Sequence, residues 1–190
     1  MRMTKVREFS DGLTRCNWLN QDQLYIDYHD NEWGTETTGQ RELFEGISLE
    51  GFQAGLSWFT ILKRREGFRA AFENFEVEKV AEYDDQKVGE LLGDERIIRN
   101  RAKINSVINN ARVVLDKDIN LTELMWGFAP KDPLSPAENF EWKATSAESD
   151  ALSKELKRLG FSFVGSTTMY ALMQSTGMIQ DHAPGCFRRP

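Results

Sequence analysis

"SDALSKELKRLGFSFVGSTTMYALMQSTG", residues 149–177, reads as two helices separated by a short break. The first half closes on Gly160, and "STTMYALMQSTG" runs from a cap at Ser166 to Gly177. Working outward, the same period recurs. "RAKINSVINNARVVLDKD" (101–118) carries Ile104, Val107, Ile108, Ala111 and Val114 on one face. "VEKVAEY" (77–83) and "DQKVGELLG" (85–93) predict two short helices, the second stopped by Gly93. "SWFTILKRREGFRAAFENF" (57–75) aligns Trp58, Ile61, Leu62, Phe68 and Phe72 behind a cap at Ser57. "TGQRELFEGISLEGFQAG" (38–55) does the same with Leu43, Phe44, Ile47 and Phe52, behind Thr38 or Gly39. The one long irregular stretch holds Pro130, Pro133 and Pro136 and continues into "FEWKATSAES". No segment alternates as a strand would, and no repeat is visible. The pattern predicts an all-α chain.

A length of 190 residues, 40% hydrophobic and 11% aromatic, suits one domain with a real core. No apolar run approaches the ~20 residues that cross a bilayer, so no membrane role is expected. The first fourteen residues are charged with no apolar stretch behind them. They read as a disordered leader rather than a secretory signal, with a single domain over 15–190 and a cytoplasmic location. The net charge of −6 argues weakly against nucleic acid, but 63–69, 96–103, 154–158 and the terminal "RRP" are locally basic. Charge alone does not decide the partner.

The chain has two cysteines and two histidines, spaced Cys16-x12-His29 and His182-x3-Cys186. Thiolate and imidazole suit zinc, and four such ligands would fill a tetrahedron and make the metal structural. The other reading is a tail with a lone His and Cys, and a Cys16 that is simply buried. In favour of a site, every Cys and His is used and the pairs lie near the two ends, where a clip would close a long loop. Spacing leaves both open.

Aromatics crowd the segment after Cys16: Trp18, Tyr25, Tyr28 and Trp33, then Trp58 and Phe59. Tyr25 and Tyr28 would share a helical face, as would Glu50 and Gln53 in "LEGFQAGLSW". Core packing accounts for the rings but poorly for Glu50, since a carboxylate in so apolar a helix needs water or a partner. Gly51 and Gly55 each cost a helix about 1 kcal/mol, which points to close backbone approach or a helix-ending turn. Aromatic faces beside a carboxylate can hold a flat cation.

"RCNWLNQDQLYIDYHDNEWG", "LFEGISLEGFQAGLSWFTILKRREGFRAAF" and "SDALSKELKRLGFSFVGSTTMYALMQSTGMIQDH" with the following "GC" resemble the bacterial 3-methyladenine DNA glycosylase I family, from about residue 15 to 187. The resemblance implies a helix-hairpin-helix glycosylase fold with one structural zinc on Cys16, His29, His182 and Cys186. The hairpin would be "LGFSFVGSTT" (159–168), with Gly165 permitting the turn and backbone N–H groups near Ser166 gripping a DNA phosphate. It implies hydrolysis of the N-glycosidic bond of 3-methyladenine in alkylated duplex DNA by base flipping, leaving an abasic site. Glu50 would accept from the base edge and stabilise the cation. Tyr28 and Trp58 would enclose it, Tyr25, Trp33 and Gln53 would shape the pocket, and Gly55 or Leu56 would fill the gap in the stack. Asp181 reads as structural, beside His182. With Ser166 and Thr167 where a lyase would place lysine, the reaction should be monofunctional, with no nucleotide cofactor, in a monomer. Two departures from the family pattern are Phe52, where a polar residue is common, and Ala102, where glycine is. The competing readings are a non-catalytic lesion-binding protein on the same scaffold and a zinc-clipped interaction protein.

Overall fold

The computed structural model describes residues 4–190. Ten helices form most of it: α1 Gln23–Asn31, α2 Gln40–Gln53, α3 Trp58–Leu62, α4 Arg65–Ala71, α5 Val77–Ala81, α6 Asp85–Gly93, α7 Arg101–Asp116, α8 Leu121–Trp126, α9 Ala147–Leu159 and α10 Ser166–Ser175. Their starts follow capping chemistry. Asp22, Ser57, Asp84, Asn100 and Asn120 each accept a backbone N–H of the first turn, and Ser146 forms a capping box with Ser149. Each such cap contributes about 1 kcal/mol. Among the described residues, no helix is long and apolar enough to cross a membrane.

The helix α2 is the axis of the fold, packed against α3, α7, α8 and α10. The predicted face of Leu43, Phe44, Ile47 and Phe52 is buried, and Phe52 lies against Phe68 and Phe72 with centroids at 4.6 and 5.8 Å. The departure at Phe52 is therefore a packing feature of the core. Gly46 allows the close approach of α10, since a Cβ there would meet Leu172 at 2.7 Å. The buried stripe of α7, from Ile104 to Val114, matches its periodicity.

Three expectations need correction. The run 57–75 is not one helix: Arg64 leaves helical geometry at φ −106° and ψ 2°, and separate helices α3 and α4 bury the same face. Helix α6, by contrast, runs over its expected residues and ends on Gly93, with Asp94 as its C-cap. Ser166 is the first residue of α10 rather than its cap; Gly165 caps it with an ordinary φ of −63°. The turn between α9 and α10 instead puts Gly160 (φ 105°) and Phe163 (φ 57°) in the left-handed region. That geometry is held from α7 and α9. Asn109 donates to the Gly160 carbonyl, Asn110 exchanges two bonds with the Ser162 backbone, and Ser153 donates to the Val164 carbonyl.

The last correction concerns the leader. Residues 1–3 lie outside the described residues, but Val6–Glu8 (β1) pairs antiparallel with Thr14–Cys16 (β2), Val6 opposite Cys16. Three-residue strands are too short to show alternation, and their anchors are not local in sequence. Arg15 is 2% exposed between the carboxylates of Asp11 and Asp30, and the Phe187 N–H donates to the Thr14 carbonyl. Phe9 is buried beneath the Arg7 and Arg15 guanidiniums at 4.7 and 5.1 Å.

Candidate active site and metal centre

The four Cys and His residues meet. Cys16 ends β2, His29 lies in the last turn of α1, and His182 and Cys186 follow α10; their ligand atoms all lie within 4.8 Å of one another and all four residues are buried. Cys186 Sγ is 3.5 Å from His29 Nε2 and 3.6 Å from His182 Nδ1, and Cys16 Sγ is 4.0 Å from His182 Nδ1. A tetrahedron with bonds of about 2.0–2.3 Å has edges of about 3.3–3.8 Å, so this donor set fits a metal with little adjustment.

The surroundings already orient the ligands. His182 Nε2 donates to the Trp33 carbonyl at 3.2 Å, which leaves Nδ1 as the lone pair facing the thiols. His29 Nδ1 lies 2.7 Å from Asp30, which leaves Nε2 toward Cys186. Burial alone would raise the Asp30 carboxyl, but hydrogen bonds from Arg15 and His29 outweigh it and hold it low. Such outer contacts fix imidazole tautomers in metal sites. The neighbouring Cys16 thiol, and then the two imidazoles, pull the Cys186 thiol below its ordinary value against the opposing effect of burial. Glu32, two residues after Asp30, grips Arg65 of α4 through both oxygens at 2.5 and 2.8 Å. That pair ties the end of α1 to α4, which follows the Trp58 helix α3 after two residues.

Beside this cluster is a cavity of about 310 Å³. Tyr25 and Tyr28 of α1, Trp33 after it, Glu50 and Gln53 of α2, and Trp58 of α3 all line it, so the six residues expected at a base pocket converge. Trp18, Trp142, Lys143, Ala171 and Gln174 complete the lining; in the sequence Trp18 is marked only as one of the crowded aromatics, and the other four carry no local signal. Tyr28 and Trp58 meet at 5.4 Å, and Trp18 packs edge-on against Trp33 at 5.1 Å. The wall is continuous with the Cys/His cluster: Trp33 meets the His182 ring at 4.6 Å and Trp18 meets His29 at 5.4 Å.

Glu50 is 5% exposed, and burial, with no other cause, pushes its carboxyl up to about 8. A carboxyl so placed is ready to ionise against a cation that enters the cavity. Burial, then the Glu50 charge, raises the Tyr25 phenol to about 12, so this wall stays neutral.

Gly55 takes φ 78° and turns the chain out of α2, leaving Leu56 41% exposed. A second cleft, of about 240 Å³, runs from Glu50 and Gln53 past Gly55 and Leu56 to Thr167 and Thr168 at the head of α10. The bend is fixed by Lys103, whose buried ammonium donates to the carbonyls of Phe52 and Ala54 at 2.9 and 2.6 Å. In the sequence Lys103 stands out only as part of a basic stretch, because its acceptors are 49 and 51 residues away. We expect Lys103→Met to lower unfolding free energy by about 2–4 kcal/mol, since two charge-assisted bonds vanish and two carbonyls lose their partner. Thermal unfolding against the parent protein measures it.

Asp181 is structural. Its carboxylate receives Tyr170 Oη at 3.0 Å, Gln174 Nε2 at 2.6 Å and the Ser135 hydroxyl, and its carbonyl accepts from Trp142 Nε1 at 3.0 Å. It thereby orients two residues of the cavity wall and does not itself line the cavity.

A family model described as methyladenine glycosylase matches residues 18–189. The chain is 46% identical over 179 residues to DNA-3-methyladenine glycosylase 1 of Escherichia coli (strain K12), covering 92% of this chain and 96% of that protein. A crystal structure of 3-methyladenine DNA glycosylase I superposes with a TM-score of 0.87 at 44% identity, covering 93% of this chain and all of that one. The Staphylococcus aureus 3-methyladenine DNA glycosylase I, solved for its recognition of 3-methyladenine, gives 0.85 at 30% identity, over 93% and 96% of the two chains. An aromatic cavity holding one buried carboxyl, in a helical fold matched along almost its whole length, identifies this chain as a member of the methyladenine glycosylase family.

Proposed function

We propose that the chain excises 3-methyladenine from alkylated duplex DNA as a monomer, by hydrolysing the N-glycosidic bond of a flipped nucleotide and leaving an abasic site. The observation that carries this reading is Glu50, an acid with its pKa raised by burial alone, set in a cavity walled by aromatic rings. A cavity of this size takes one base, not a stacked pair, so the nucleotide must leave the helix to enter. Methylation at N3 gives adenine a positive charge and makes it a good leaving group. The protein therefore needs to hold the charge and shape of the base and admit water at the sugar carbon. Glu50 ionises and stabilises the cation, Tyr28 and Trp58 enclose its faces, and Tyr25, Trp33 and Gln53 shape the edges. Unmethylated adenine brings no charge to repay the ionisation of Glu50, and so is passed over.

On the outer surface, the first N–H groups of α10 have no intrahelical acceptor and suit a backbone phosphate. A Cβ on Gly165 would meet nothing nearer than Thr168 Oγ1 at 3.9 Å, so the bare backbone leaves room for that phosphate. Leu56, on its glycine turn, fills the space left by the base. The Cys16, His29, His182 and Cys186 set would hold one zinc, all four positions filled by protein, whose contribution is to fasten the two ends of the chain and the Trp18–Trp33 wall.

Incubation with methylated duplex DNA and chromatography of the released bases tests the reading. Free 3-methyladenine, with strands that break only after alkali, is the expected result. Binding without release would leave the lesion-binding alternative, and strand breakage without alkali would exclude the monofunctional reaction.

A further inference from the structure

One wall of the cavity comes from the irregular stretch between α8 and α9, where no hydrogen-bonded helix fixes side-chain positions. Trp142 and Lys143 line the cavity from there. Such a wall is as definite as the contacts that hold it, and those on Trp142 are specific. Its Nε1 donates to the Asp181 carbonyl at 3.0 Å, and Phe140 packs edge-on at 5.4 Å and 83°. Lys5 places its ammonium 5.4 Å from the ring centroid and pairs with Glu141. Lys5 does not line the cavity; with Phe140 and Glu141 it lines a separate cleft, so it reaches Trp142 from outside. It immediately precedes the β1–β2 hairpin, and the methyladenine glycosylase match begins only at residue 18. A segment beyond the matched family region thus braces a residue at the reacting pocket.

We propose that Trp142 is a specificity-determining residue of the base pocket, limiting the bulk of the alkylated base, and that Lys5 at the foot of the N-terminal hairpin is a positioning residue that holds it. The proposal rests on the base-pocket reading above. Removing the indole opens that wall while Glu50, Tyr28 and Trp58 stay in place, so affinity and size discrimination should change and the chemistry should not.

The test compares excision of 3-methyladenine and 3-ethyladenine from duplex DNA by the full-length parent, Trp142→Ala, Trp142→Phe and Lys5→Ala. For Trp142→Ala, KM should rise about tenfold with kcat within about twofold, and the preference for methyl over ethyl should fall about tenfold, the scale of one methylene in an apolar pocket. Trp142→Phe, which keeps an aromatic wall, should recover most of that preference. Lys5→Ala should raise KM about two- to fivefold in the same direction, matching a cation–π contact, and Lys5→Arg should restore it. Lys5 is partly exposed, so its variants keep the test available should Trp142→Ala fold poorly. Parent-like KM and methyl-to-ethyl preference in Trp142→Phe and Lys5→Ala, together with either in Trp142→Ala or a failure of that variant to fold, would overturn the proposal. A parent protein that excises nothing would instead overturn the reading beneath it.

Discussion

Replacing Glu50 by glutamine should lower kcat/KM for 3-methyladenine release by about a hundredfold or more while making the folded protein more stable at neutral and alkaline pH. The two effects share one cause. Glutamine keeps the shape of the side chain but cannot carry the charge that the cationic base requires, and one lost electrostatic partner in a dry site typically costs about 2.7–4 kcal/mol of the barrier. In the free protein the same group is a burden. Burial pushes its carboxyl up to about 8 when folded, against 4.5 for a free glutamate, so between those pH values the native state holds a proton that the unfolded state has lost. Stability therefore falls as pH rises through this window, by on the order of 5 kcal/mol from this group once both states are ionised. The glutamine variant lacks that term, and its margin over the parent should grow from pH 5 to 8 in denaturant unfolding. A variant less stable than the parent at pH 8 would contradict this account.

Loss of the zinc proposed on Cys16, His29, His182 and Cys186 should have an effect of similar size on the fold. Cys186→Ser should leave the purified protein with well under one zinc per chain and lower Tm by more than about 10 °C, because a structural metal contributes on the scale of a whole domain's stability. A clip there would join segments separated by 152 residues between His29 and His182, so its removal would also restore the entropy of a very long loop. Rings that pack on the ligands, Trp33 on His182 and Trp18 on His29, should loosen with it, and excision should fall further than the fraction of folded protein. Elemental analysis with parallel calorimetry checks both; an unchanged Tm in zinc-free protein would show that the four side chains are only packed.

What could be read from the sequence divides along physical lines. Helix faces and caps are local, so α2 and α7 and the cap at Ser57 follow from spacing alone. Glu50 could be singled out because a carboxylate in an apolar helix conflicts with burial, and conflicts of that kind concentrate at functional sites. The metal set was half legible, since residue types suggested it but only the fold brings both ends of the chain together. Three features stayed hidden because their partners are remote or irregular. Lys103 caps a helix about fifty residues away, Trp142 owes its position to Asp181 and Lys5, and the hairpin at 6–16 is held by Asp30 and Phe187. Phe163 was hidden for another reason: no spacing rule predicts a phenylalanine at φ 57°, and only the bonds from Asn109, Asn110 and Ser153 to its neighbours impose it.

The role of Glu50 as a carboxylate, rather than as a proton donor, is tested most directly by the pH dependence of kcat/KM for 3-methyladenine release by the parent protein. If the ionised form receives the cationic base, the rate climbs about tenfold per pH unit up to about 8 and then levels, and the glutamine variant shows no such rise. A rate that is flat at low pH and falls through 8 would mean that the protonated acid is the active form, and would contradict the account.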